Sequence, residues 1–238
     1  MRFLTKEWYQ AMQSTALHVM LEIDLRAGTF SEEYFRELYN ARLQKWFDIR
    51  AKLCNALEMP FDKDAERKSF AKGYRTNKKI IVERIPDEIL RQVADIRVLA
   101  LNCCTEEVKC LITSFSEANH KFIEETMSAY KSFAHSQFSD ADDVLLKRFH
   151  FHDEEVKSSR RIGNDWVIDF GECSEGYSQI RYVRFKNASI LKQEKRLYGA
   201  WWLYEELYKT QSGYEVHVLL DKNGLIEFIL SCDDVVLE

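Results

Sequence analysis

Three apolar stretches near the end of the chain decide how the rest is read: Ala200-Trp-Trp-Leu-Tyr-Glu-Glu-Leu-Tyr208, Tyr214-Glu-Val-His-Val-Leu-Leu220 and Leu225-Ile-Glu-Phe-Ile-Leu-Ser231. Each is rich in β-branched and aromatic residues with a period near two. Between them lie Gln211-Ser212-Gly213 and Asp221-Lys222-Asn223-Gly224, residue types that supply the positive φ of tight hairpins. The pattern predicts three consecutive antiparallel strands. A meander of this kind needs a cover for its apolar face, and the segments upstream carry a helical period suited to that task.

Working back along the chain, Gln179 to Asn187 alternates after a loop containing Gly176. Arg161-Ile-Gly163-Asn164-Asp165 reads as a hairpin turn into Trp166-Val-Ile-Asp-Phe170, and Phe149-His-Phe-His-Asp153 alternates as well. Ser136 to Asp143 is a polar run where helical period gives way to alternation, so the domain junction is placed there, with a helical domain over 1–143 packed on an antiparallel β domain over 144–238. Upstream, Thr5 is an N-cap for a helix through about Arg26, with Trp8, Met12, Thr15, Val19 and Ile23 on one face and Gly28 ending it. Ser31-Glu32-Glu33 opens a second helix that turns Tyr34, Leu38, Leu43, Trp46, Phe47 and Leu53 inward and stops at Met59-Pro60. Pro86-Asp87-Glu88 opens another carrying Ile89, Val93, Ile96 and Ala100, and Thr105-Glu106-Glu107 opens a long one to about Ala134. The predicted fold class is α+β: about five N-terminal helices followed by a C-terminal antiparallel β-sheet of about six strands, with Trp8, Trp46 and Trp166 largely buried.

Only 8 Gly and 2 Pro in 238 residues argue against long disordered segments. The six cysteines, Cys54, Cys103, Cys104, Cys110, Cys173 and Cys232, contain no Cys-x-x-Cys and read as buried, reduced thiols. With no apolar run of secretory or membrane-spanning length, the expectation is a cytoplasmic protein with no membrane partner. The net charge of -5 argues against nucleic acid as a partner. One basic stretch stands against that: Arg67, Lys68, Lys72, Arg75, Lys78, Lys79 and Arg84, interleaved with Phe70 and Tyr74. It is read either as a weak nucleic-acid contact or as a solvated helix face beside a loop at Gly73.

Phe3 to Tyr9, Val93 to Leu101, and Trp201 to Leu220 resemble a family of uncharacterised bacterial proteins of unknown function. That resemblance implies a bacterial, cytoplasmic setting and carries no catalytic residues with it. The stretch Phe151-His-Asp-Glu-Glu-Val156 is also similar to the first strand of small β-rich modules among bacterial accessory and immunity-type proteins.

Two sets of residues are candidates for function. On a strand, His150 and His152 project from one face; with Asp153 and His217 they form a possible zinc set, the basis for an alternative reading as a metal-dependent hydrolase. Glu205, Glu206, Glu215 and Glu227 lie on neighbouring strands and are either an acid–base set or a solvated charged strip. The second set is aromatic. Strand alternation gives Trp201, Leu203 and Leu207 to the core and leaves Trp202, Tyr204 and Tyr208 on the other face, near Tyr214 and His217, as a recognition patch. No phosphate loop, nucleophile elbow or cofactor motif is present in the sequence, and no cofactor is expected. The sequence favours a non-catalytic binding or accessory module, with an unidentified protein or small ligand as its partner.

Overall fold

A computed structural model describes residues 1–138, 143–171 and 180–238. Cys173, Gly176 and Gln179, and residues 139–142 within the expected junction, lie outside the described residues. The chain is α+β and forms two compact units, Gln10–Lys121, and Met1–Tyr9 together with Phe122–Glu238.

Helix α1 spans Lys6–Met12, with Thr5 Oγ1 accepting from the Trp8 amide as its cap. It does not run on to Arg26 as its periodicity suggested. The chain instead turns, and Glu22–Ile23 (β1) pairs in parallel with Cys103–Cys104 (β2), after which Asp24 caps a 3-10 turn over Leu25–Gly28. Val19 and Ile23, expected on a buried face, are exposed. Helix α2 covers Glu32–Ala56, with Ser31 Oγ accepting from the Tyr34 amide, and α3 covers Lys63–Arg84, capped by Asp62. Residues 35, 39 and 46 meet 74, 70 and 66 in reverse order, so the two helices form an antiparallel pair. Gly73 lies inside α3 and does not break it.

The single helix expected after Pro86 is two short ones, α4 (Asp87–Leu90) and α5 (Ile96–Leu99), because Asp95 turns back to cap the second with its carboxylate on the Arg97 amide. Helix α6 runs over Glu106–Gln137, opened by Thr105, and its two halves belong to different units. Among the described residues the thiols of Cys54, Cys103, Cys104 and Cys232 are buried, whereas Cys110, on α6, is exposed.

In the other unit, α7 (Asp143–Arg148) precedes the strands. Phe149 to Asp153 was expected to open the sheet and does not. Asp153 sits at φ 65° in a turn, and the segment meets the start of a later strand through the Asp153 amide on the Trp202 carbonyl and the His152 ring on the Leu203 carbonyl. The strands are β3 (Ser158–Ile162), β4 (Asp165–Asp169), β5 (Tyr182–Lys186), β6 (Ser189–Gln193), β7 (Trp201–Thr210), β8 (Gly213–Asp221), β9 (Leu225–Cys232) and β10 (Asp234–Leu237). Instead of one sheet of about six strands they make two antiparallel sheets, ordered β10-β5-β4-β3 and β6-β9-β8-β7. The predicted meander is β7-β8-β9. Its first turn requires glycine, since Gly213 has φ 139° and a Cβ there would fall 2.2 Å from the Cys232 carbonyl oxygen. Ile168, Val183 and Phe185 from one sheet share a core with Trp202, Val218 and Phe228 from the other.

Candidate functional site

The aromatic face of β7 is placed differently from its sequence parity. Trp202 pairs with Leu220, but the next partners are Tyr204 and Leu219, which leaves Leu203 as the extra residue of a β-bulge. A one-residue insertion in a period of two exchanges the faces. Trp202 therefore joins Leu207 in the shared core at 0% exposure, and Trp201, expected in the core, is 49% exposed.

Tyr204 and Tyr208 lie on the opposite side, but that side is covered. Trp8 meets Tyr204 edge-on at 4.8 Å, and Phe133 of α6 meets Tyr208 at 5.5 Å. Tyr208 is 4% and His217 6% exposed, while Tyr204 and Tyr214 are half-buried. The set Trp202, Tyr204, Tyr208, Tyr214 and His217 is thus mostly core packing, and the exposed recognition patch expected from the sequence is not formed.

Glu206 anchors the cover. Its carboxylate, fully buried, accepts from the main-chain amides of Arg2 and Phe3, each at 2.8 Å, from that of Leu4, and from the Tyr208 hydroxyl. A buried carboxylate is tolerable when donors surround it in this way. Burial, reinforced by the Glu206 carboxylate, holds the Tyr208 phenol far above its usual titration range.

The His150 and His152 rings stack at 6.2 Å, but the three histidines do not converge. His150 Nδ1 lies 2.9 Å from Glu205 Oε1, while His152 bonds the Leu203 carbonyl and lies 3.7 Å from Asp153. His217 sits elsewhere, in register with Glu206, and its Nε2 meets Glu215. Among the described residues no group of three or more His, Cys, Asp or Glu side chains is placed to hold a metal ion. Of the four carboxylates, Glu206 and Glu215 flank His217, while Glu205 bonds Trp202 and His150 and Glu227 bonds Lys192.

His217 is held below its ordinary titration value by burial, despite the opposing pull of Glu215 and Glu206, and its buried Nδ1 has no partner, which suits a neutral ring. A depressed folded value means that its stabilising share is present above the unfolded value of about 6.5 and is lost as pH falls. His150, raised by its bond to Glu205, acts in the opposite sense. The fall in melting temperature between about pH 7 and about pH 5 should therefore be smaller in His217→Asn than in the native protein. An equal fall in both would remove His217 from the account.

The Gln10–Lys121 unit carries a cleft that no sequence motif announced. It has a volume of about 420 Å³ and lies between α2 and α3, floored by Ala100, Leu101 and Asn102. That size suits a small ligand. Its aromatic wall is Trp46, Phe70 and Tyr74. Trp46 was expected in the core, but it is half-buried and fixed by an Nε1 bond of 2.9 Å to Glu66. Phe70 and Tyr74 pack on Tyr39 of α2, so the rings of the basic stretch are committed to this interface.

The polar groups of the cleft are ordered. Arg42 makes a two-pronged pair with Glu22, Nη1 to Oε1 at 2.9 Å and Nη2 to Oε2 at 2.8 Å, which holds the Glu22 carboxyl below its usual range. Lys45 lines the same opening, and a neighbouring cavity of about 250 Å³ shares Glu22, Arg42 and Lys45. Asn77 donates to the Ala100 carbonyl at 2.8 Å and to Asn102 Oδ1 at 3.2 Å. Gly73 lines the cleft too, and a Cβ built on it would meet no atom within 4 Å.

Fold and cleft together define an α+β protein with a preformed, aromatic-walled pocket of small-molecule size in one of its two units. The chain belongs to the family described as Protein of unknown function (DUF4085), whose family model matches residues 29–230. That span contains two of the three stretches on which the resemblance was read, Val93–Leu101 and Trp201–Leu220. No curated protein matches the chain, and no solved structure does. Among the described residues no helix is long and apolar enough to cross a membrane.

Proposed function

We propose that the chain is a non-catalytic binding module whose partner is a small ligand held in the α2–α3 cleft. The observation that carries this reading is Gly73. A glycine inside a helix costs about 0.5 to 1 kcal/mol relative to alanine, and helix packing does not demand it here, because the space beside it is open. Gly73 is exposed and lines the cleft, so a long side chain there would stand at its mouth. A glycine that lines a cleft in the middle of a helix leaves that part of the wall without a side chain. Three rings for planar contact, and Arg42 and Lys45 beside them, suit a flat ligand with an anionic group.

Titration with 1-anilinonaphthalene-8-sulfonate, a planar aromatic sulfonate, tests this. The expected result is saturable binding of one probe per chain, abolished in Gly73→Leu while its melting curve stays cooperative. Equal binding by the native protein and a folded Gly73→Leu variant would place the probe elsewhere and remove the cleft as the site.

A further inference from the structure

Asn77 and Asn102 carry more information than the size of the cleft. A main-chain carbonyl only accepts, so the Asn77 bond to the Ala100 oxygen fixes which end of its amide is nitrogen, and the bond to Asn102 Oδ1 then fixes the second amide. Asn77 Oδ1 and Asn102 Nδ2 are left with no protein partner among the described residues. One acceptor and one donor, on two bonded amides that line a cleft walled by rings, match the edge of a planar heterocycle that offers a donor next to an acceptor.

The backbone supports the placement. Asn102 has φ 59°, a conformation few residues other than Gly, Asn and Asp adopt readily, and its carbonyl accepts from the Glu22 amide. The same residue thus shapes the cleft floor and orients β1, which carries Glu22. Glu22 in turn holds Arg42 through a fork that a phosphate or carboxylate of a ligand would fit equally well. Glu22 is exposed at 58% of its side chain and Arg42 at 18%, so the acid is the more readily displaced member of the pair.

Resting on the cleft reading above, we propose that the ligand is a mononucleotide. Its base stacks on the Trp46, Phe70 and Tyr74 wall with its edge on Asn77 and Asn102, and its phosphate takes Arg42 from Glu22 with Lys45 alongside. Glu22 is then an internal competitor for the phosphate, which gives the proposal an unusual sign: removing its charge strengthens binding.

Isothermal titration with AMP, GMP, UMP and CMP, the four matching nucleosides, and 2-naphthoate as a flat anion lacking the amide edge tests it. At least one monophosphate should bind at least ten-fold more tightly than its nucleoside, Glu22→Gln should tighten that binding three-fold or more, and Arg42→Gln should weaken it. Asn102→Gly keeps the positive φ and deletes the amide, so it should weaken the nucleotide ten-fold or more and leave 2-naphthoate unchanged. If 2-naphthoate binds and no nucleotide does, or if Asn102→Gly leaves the nucleotide unaffected, the mononucleotide assignment is overturned and the cleft remains a ligand site. If neither nucleotide nor naphthoate binds, the cleft reading falls with it.

Discussion

Glu206→Ala is expected to destabilise the protein by about 3 to 5 kcal/mol in chemical denaturation, the range for removing one member of a buried charged network. Three main-chain amides and the Tyr208 hydroxyl end on this one carboxylate, and the variant would leave the Leu4 amide and the Tyr208 hydroxyl buried with no acceptor and the Arg2 and Phe3 amides partly so. Glu206→Gln keeps an acceptor oxygen but points an amide donor at donors, so it should recover only part of the loss. The effect should also be local in origin. Proteolysis in the first nine residues should become faster than in the β-sheets, because Glu206 accepts from the amides of residues 2–4 and so ties them to β7. A loss below about 1 kcal/mol would mean that water replaces the carboxylate freely and that the cover over Tyr208 is loose.

The second large effect separates neighbours in sequence. Trp202→Ala should cost about 3 to 5 kcal/mol, as for other large-to-small changes in a packed core. The ring has no exposed surface and packs edge-on against Phe151 at 5.2 Å, Phe170 at 5.6 Å and Phe149 at 6.1 Å, while its Nε1 donates to Glu205 at 2.7 Å. Trp201→Ala, next to it and half exposed, should cost less than about 1 kcal/mol. Comparable losses at both positions would contradict the bulge at Leu203, since only the bulge puts Trp202 and Leu207 on one face.

Local chemistry was readable wherever a short-range rule governs. Thr5, Ser31, Thr105 and the Gly163-Asn164 turn do what their residue types suggest, and the Gly213 and Asn223-Gly224 turns set the register of the three-strand meander. The misreadings share a different physics. Parity across β7 failed because one unpaired residue reverses every face beyond it, and no residue type marks Leu203 as that one. Phe149 to Asp153 alternates convincingly but has no partner strand, so alternation alone could not make it one. The helix begun at Thr5 ends at Met12, and the continuation expected to be helical instead reaches Glu22 and Asp24, whose main-chain partners lie eighty residues away, which no window of sequence contains.

The cleft was invisible for a related reason. Arg42, Asn77 and Asn102 come from three separate segments, and none belongs to a motif. The one local signal was Gly73, which read as a loop in a basic run. A glycine in the middle of 22 residues with otherwise good helical character admits a second reading, a helix that leaves a space open, and that reading is the one the fold realises.

Gly73→Ala, with melting and probe binding measured on the same preparation, tests the central claim most directly. The added methyl meets no atom, so the helix should gain up to about 1 kcal/mol and the protein should melt higher. Gly73 lines the cleft, so 1-anilinonaphthalene-8-sulfonate should bind more weakly to the more stable protein. A variant that melts higher and binds the probe as well as the native chain would contradict the assignment of the α2–α3 cleft as the site.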